Sequence, residues 1–138
     1  MEQEDLTSTI IGCAYKVFNT LGFGFLESVY EKSLLIELAK AGIQAQAQKD
    51  ILVQYDGQIV GEFKADLLVE DAVIVELKSI RQIVKAHEVQ LVNYLSATGK
   101  DLGLIINFGE HGVEVKRKMR DIRHYSKKNY PVNSVNPV

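Results

Sequence analysis

Residues 65–79, ADLLVEDAVIVELKS, read as two apolar strands joined by a short acidic turn, with a carboxylate set inside each strand. Leu67 and Val69 alternate with Asp66 and Leu68, and beyond Glu70-Asp71-Ala72 the residues Val73, Val75 and Leu77 alternate with Ile74, Glu76 and Lys78. A turn centred on Asp71 sets Asp66 directly across from Glu76. Like charges in that position repel, because their Cβ atoms lie only about 5 Å apart. Lys78, two residues beyond Glu76, shares its face. The pair therefore calls for compensation. Two adjacent carboxylates form a hard oxygen site suited to Mg²⁺ or Mn²⁺, with the carbonyl of Leu77 placed as a further ligand. Lys78 beside such a cation is positioned to hold a phosphate or to orient and deprotonate a water. The competing reading is a solvent-facing sheet in which Lys64 and Lys78 neutralise the acids.

Outward from this hairpin the chain alternates between two periods. Leu6, Ile10, Ala14, Val17, Phe18 and Leu21 form a helical stripe stopped by Gly22, and Leu26, Val29, Tyr30, Leu34, Leu38 and Ala41 form a second one ended by Gly42. IQAQAQKDILVQY then alternates with a period of two, and Asp56-Gly57 is a strong hairpin signal leading into QIVGEFKADLLV. Helical spacing returns at Val84, His87, Gln90, Leu91, Tyr94 and Leu95. LGLIINFG reads as a strand covered on both faces, and VEVKRKM as a last alternating strand. The predicted order is ααβββαββ, a single α/β domain over residues 1–120 whose mixed sheet of about five strands is flanked by helices.

The 138 residues are 46% hydrophobic and 25% charged, values of an ordinary globular domain, and no apolar run reaches the length of a membrane span. The acidic N-terminus lacks the basic region of a signal peptide, so the expected location is cytoplasmic, with no membrane partner. Cys13, the single cysteine, sits in an apolar stripe and excludes a thiolate metal cluster. The net charge of −2 conceals an asymmetry: residues 1–112 carry 9 Lys/Arg against 16 Asp/Glu, whereas residues 113–138 carry 7 against 2. Lys116, Arg117, Lys118, Arg120 and Arg123 are thus candidates for contact with nucleic-acid phosphates, followed by Lys127 and Lys128 in a basic, flexible tail over 121–138. A solvated last strand and tail would look the same.

Glu27 and Tyr30 share a face of the second helix, and Gln90 and Tyr94 share one of the third. Taken alone, Glu27 is a dipole-favourable surface acid, Gln90 and Tyr94 a polar rim, and His87 an ordinary boundary histidine. Together they carry a resemblance. Gly24, Glu27 and Tyr30 in GFLESVY resemble the signature of the GxxExxY proteins, a branch of the PD-(D/E)XK nuclease superfamily, followed in order by Asp66, by Glu76-Leu77-Lys78, and by Gln90 and Tyr94 in QLVNYL. Ala65 stands where the superfamily's proline would be. The resemblance implies a restriction-endonuclease-like core and catalysis by Asp66, Glu76 and Lys78. It implies Glu27 as an addition to the acidic metal shell, and support of substrate or metal by Gln90 and Tyr94, with Tyr30 beside them.

The function expected is that of a metal-dependent nuclease, a phosphodiester hydrolase using Mg²⁺ or Mn²⁺ and acting on DNA. The alternative is a catalytically silent nuclease-fold module that binds nucleic acid or a protein partner. A chain this small offers little surface for gripping a duplex, which points to a homodimer or a larger protein partner.

Overall fold

The computed structural model describes residues 2–120. In chain order it contains α1 (Gln3–Leu21), α2 (Glu27–Lys40), β1 (Ala45–Tyr55), β2 (Gln58–Val69), β3 (Val73–Lys78), α3 (Lys85–Thr98), β4 (Leu102–Gly109) and β5 (Gly112–Met119). This is the ααβββαββ order expected from the periodicities. The expected tail over 121–138, with Arg123, Lys127 and Lys128, lies outside the described residues. Among the described residues, no helix is long and apolar enough to cross a membrane.

The five strands form one sheet in sequential order, antiparallel except where β3 runs parallel to β4. Parallel neighbours need a crossover, and α3 supplies it. The sheet separates two apolar layers. On one face α1 and α2 pack Leu6, Ile10, Val17, Leu34 and Leu38 against Leu67, Val75, Leu77, Leu104 and Phe108. On the other, α3 packs Leu91, Tyr94 and Leu95 against Ile51, Ala65, Leu68, Ile74 and Ile105. All eight residues of β4 are buried, which explains why LGLIINFG shows no polar alternation. Cys13 is buried in the α1 layer, and burial pushes its thiol up, as suits a packing residue.

The β1–β2 turn is built as its sequence promised, Asp56 and Gly57 both adopting positive φ of 53° and 76°, the geometry that keeps a twisted hairpin paired. This hairpin outruns the sheet. β1 and β2 pair as far as Tyr55 and Gln58, whereas β2 pairs with β3 only over Leu67–Val69 against Val73–Val75. Residues 50–64 therefore form an arm that projects past β3 on the side where α3 packs.

How closely α3 approaches the sheet is set by one small residue. A Cβ on Gly103 of β4 would stand 2.8 Å from Cδ1 and 3.0 Å from Cγ of the fully buried Leu91. Neither group has space to withdraw, since protein interiors are close-packed. Gly103→Ala is expected to destabilise the protein by roughly 1–3 kcal/mol, the usual cost of overpacking. In urea melts this shows as a lower midpoint with an unchanged slope; a midpoint equal to that of wild type would mean that α3 is free to shift.

Candidate active site

The sheet's β2–β3 ladder ends where the acids begin. Beyond Leu67–Val75 the next pair would be Asp66 with Glu76, and there the backbone-to-backbone ladder stops. In its place the two side chains complete the pairing. The Asp66 N–H donates to Glu76 Oε2 at 3.0 Å, and the Leu77 N–H donates to Asp66 Oδ2 at 2.7 Å. Each carboxylate thus clamps the opposite strand with one oxygen and keeps a second oxygen for other work. The strand also changes face at this point. Odd-numbered Ala65 and even-numbered Leu68 both pack toward α3, so the alternation breaks between them. Opposite the break, Gln48 adopts a φ of 55° and drops out of the β1–β2 pairing together with Asp66.

Glu76 is 7% exposed. Its burial, and then the charge of Asp66, push its carboxyl up to about 7 from an ordinary 4.5, while the Asp66 N–H and Lys78 pull it down and Glu27 pushes it further up. The repulsion anticipated from the hairpin register is therefore present, and without a cation it is met partly by a retained proton. Lys78 faces the pair from the end of β3, whereas Lys64 does not serve it: Lys64 pairs with Asp50 across the β1–β2 arm. Among the described residues no group of three or more His, Cys, Asp or Glu side chains converges as a metal cage. Asp66 and Glu76 are brought together; Glu27 is exposed at the first turn of α2 and acts on Glu76 through its charge, without joining a three-carboxylate cluster.

Tyr30 lies elsewhere. It is fully buried, stacked on Phe108 with ring centres 4.3 Å apart and planes 8° apart, and edge-on to Phe25. Its hydroxyl donates to the Gly22 carbonyl at 2.5 Å and accepts the Phe25 N–H at 3.3 Å. Rather than joining the acids, Tyr30 fastens the glycine-rich link before α2 and so fixes where Glu27 begins. The Phe25 carbonyl accepts from Ser79 Oγ at 2.9 Å, tying that link to the residue after Lys78.

On α3, Tyr94 is buried beside the acids: burial raises its hydroxyl, and the charges of Glu76 and Asp66 raise it further. Gln90, one turn earlier, is exposed in the groove between α3 and the β1–β2 arm. His87 caps α3, its Nδ1 accepting the Val84 N–H at 3.1 Å. The basic run on β5 does not form one surface, because neighbouring strand residues point to opposite faces. Arg117 reaches Thr7 of α1 at 2.6 Å, Lys118 pairs with Glu88 of α3 at 3.0 Å, and Arg120 pairs with Asp101 at 2.8 Å. Lys116 is exposed on the Lys118 side, and Arg123 is outside the described residues.

Two residues that sequence reading passed over hold the loop behind Lys78. Asn107, fully buried on β4, receives the Ile80 N–H on Oδ1 and donates through Nδ2 to the Ile80 carbonyl, both at 2.9 Å. Glu114 of β5 accepts the Ile83 N–H at 3.0 Å. A polar residue inside the apolar run LGLIINFG was the available signal for Asn107, since a buried amide must be hydrogen-bonded.

The fold has relatives among solved structures. The crystal structure of a protein called SSO0001 superposes with a TM-score of 0.53 at 14% identity, over 72% of this chain and 53% of that one, so the present chain spans about half its length. An alkaline exonuclease of Laribacter hongkongensis, LHK-Exo, solved in complex with dAMP, aligns with a TM-score of 0.49 at 12% identity over 91% of this chain and 86% of its own. A phage-related exonuclease from Haemophilus somnus aligns with a TM-score of 0.44 at 8% identity over 91% and 76%. No curated protein sequence matches significantly. At the sequence level, residues 4–119 match the PD-(D/E)XK nuclease superfamily. Since that match runs from the first helix through the last strand, the chain belongs to the PD-(D/E)XK nuclease superfamily.

Proposed function

We propose that the protein is a divalent-metal-dependent nuclease that hydrolyses phosphodiester bonds in DNA, and that within its superfamily Gly24, Glu27 and Tyr30 place it in the GxxExxY branch. The observation that carries this reading is the clamped pair of Asp66 and Glu76, held side by side with Glu76 buried and Asp66 half-buried, and with Lys78 two residues beyond Glu76. A fold has little reason to press a buried carboxylate against a second one of the same charge unless a cation joins them. The donor set fits a hard ion such as Mg²⁺ or Mn²⁺: two carboxylates, each with one oxygen spare, and the carbonyl of Leu77, the residue next to Glu76. Glu27 adds negative charge at longer range. When bound, such an ion supplies Lewis-acid stabilisation of charge on the phosphate.

The chain's own residues supply the rest. Lys78, beside Glu76, orients the attacking water and the phosphate in line and takes part in moving the water's proton. Tyr94, packed against the acids, walls one side of the site and limits water there. Gln90 contacts substrate from the exposed side of α3. Lys116, Arg117, Lys118, Arg120 and Arg123 contribute phosphate contacts only so far as their present partners release them. A homodimer or larger partner would extend the grip on a duplex. A catalytically silent module of the same fold would cleave nothing, and a plain interaction domain with no metal would also gain nothing from magnesium.

Thermal melts with and without Mg²⁺ separate these readings. Wild type is expected to gain stability from Mg²⁺, about 2.7 kcal/mol when the ion is present at roughly 100 times its Kd. Asp66→Asn should lose that gain together with cleavage. Lys78→Ala should keep the gain and lose cleavage, and Glu27→Gln should bind Mg²⁺ more weakly with an intact fold. If wild type gains nothing from Mg²⁺ or Mn²⁺ and cleaves no DNA, the nuclease reading fails.

A second test uses pH without metal. The Glu76 carboxyl stands at about 7 in the folded protein against an ordinary 4.5, so between these values the folded state holds a proton that the unfolded chain has released. Stability should therefore fall as pH rises from 4.5 toward 7 and then stop falling on this account. Glu76→Gln should remove this component of the slope. Asp66→Asn should stabilise the metal-free protein above the Glu76 titration, by on the order of 1 kcal/mol, and do little below it, where Glu76 is neutral. Urea titrations of the three proteins across this pH range decide it: parallel pH profiles for wild type and Glu76→Gln would show that Glu76 keeps its charge in the metal-free fold.

A further inference from the structure

The β1–β2 arm and α3 enclose a groove of about 1070 Å³ whose lining has a consistent chemistry. Its apolar walls include Val53, Phe63 and Tyr94, its polar groups are the amides of Gln54, Gln90 and Asn93 and the hydroxyl of Ser96, and no charged residue lines it among the described residues. We propose that this groove is a nucleobase subsite, in which an unpaired base of single-stranded DNA stacks on Phe63 while the adjoining phosphate lies at Asp66 and Glu76. The proposal rests on the nuclease reading for the identity of the neighbouring phosphate site.

Phe63 is unusual for a large aromatic beside a core. It remains 45% exposed, yet its ring is held. It leans on Tyr94 at 5.7 Å between ring centres with a 39° tilt, and it lies over the bare backbone of Gly61, where a Cβ would come within 3.0 Å of the ring. A ring fixed from behind and open in front is a stacking platform, since a base then meets a surface that has already lost its rotational freedom. The occupant follows from charge. Phosphates would find no cation in the lining, whereas a neutral base offers faces to Phe63 and edge donors and acceptors to the three amides. A paired base inside a duplex keeps its faces stacked on its neighbours and its Watson–Crick edge occupied. The place fits as well. Phe63 precedes Asp66 by three residues, roughly 10 Å along an extended strand. Tyr94 lines the groove and also feels the charges of Glu76 and Asp66, so the groove and the acids lie on either side of one residue.

The test measures anisotropy of labelled probes with the full chain, in a Lys78→Ala background with Mg²⁺ so that complexes persist. The probes are a short oligothymidylate, an abasic strand of equal length and a blunt duplex of equal length. Adding Phe63→Ala should weaken oligothymidylate binding roughly 5- to 100-fold, the range for losing one stacked base. Phe63→Tyr should retain it, and the abasic strand and duplex should be indifferent to all changes at this position. Phe63→Leu keeps an apolar side chain without a ring; it should bind like Phe63→Ala, and it also gives the answer if Phe63→Ala fails to fold. Equal oligothymidylate binding by the Phe63→Leu variant and its parent, or a similar loss on all three probes, overturns the subsite. Cleavage of DNA by wild type is read separately. Phe63-dependent binding without any cleavage would sink the nuclease reading and leave the subsite standing, and cleavage with Phe63-independent binding would do the reverse.

Discussion

The crossed hydrogen bonds between Asp66 and Glu76 and the opposite strands' N–H groups are the constraint around which the rest is arranged. Had the ladder continued through this pair, both side chains would stand perpendicular to the sheet and their carboxylates could spread apart into solvent. Because each carboxylate instead replaces a lost backbone partner, each is tied to the opposite strand by one oxygen. A backbone N–H removed from water must be satisfied, and here these side chains do it. The result is a site whose geometry is enforced by the cost of leaving backbone groups unpaired, while its electrostatics work against it. The raised Glu76 carboxyl is the visible consequence.

Positions further out are fixed by residues that never touch the acids. Tyr30 holds the α1–α2 link by its hydroxyl and by stacking on Phe108, and Ser79 ties that link to the residue after Lys78. Asn107 and Glu114 hold the backbone from Ile80 to Ile83 against β4 and β5. These anchors fix the approach of α2 and the exit of β3, which together set Glu27 and Lys78 relative to the pair. The buried anchors are fully hydrogen-bonded, so each specifies one arrangement and penalises alternatives by an unsatisfied polar group.

Much of this was legible from periodicity. Element order, the Asp56-Gly57 turn, the register that brings Asp66 and Glu76 together and the two-sided burial of LGLIINFG all follow from spacing rules that depend on local geometry. What was not legible depends on contacts between distant residues. Nothing in GFLESVY says that Tyr30 meets Phe108, so its place in the signature looked like a place in the site. The basic run on β5 looked continuous in sequence, but strand pleating divides it between α1 and α3, where Arg117 and Lys118 find partners. The break in alternation at Asp66 was hidden too, because it needs the unusual backbone of Gln48 on another strand.

The charge distribution orders the events at the proposed site. Residues 1–112 carry a net excess of acids, and the described cations of β5 and its end are partly engaged with Glu88, Asp101 and Thr7. A phosphate approaching Asp66 and Glu76 therefore meets a field of its own sign, and Lys78 is the nearby positive group acting on Glu76. A neutral groove next to that field neither attracts nor repels a base, so it adds contact without adding to the repulsion. On the proposed reading, a cation at the acids reverses the local field, and phosphate binding becomes favourable only then. By linkage the nucleic acid must tighten the cation to the same degree that the cation tightens the nucleic acid. On that same reading the paired acids would have a use beyond holding a metal, since they would make substrate binding conditional on the ion.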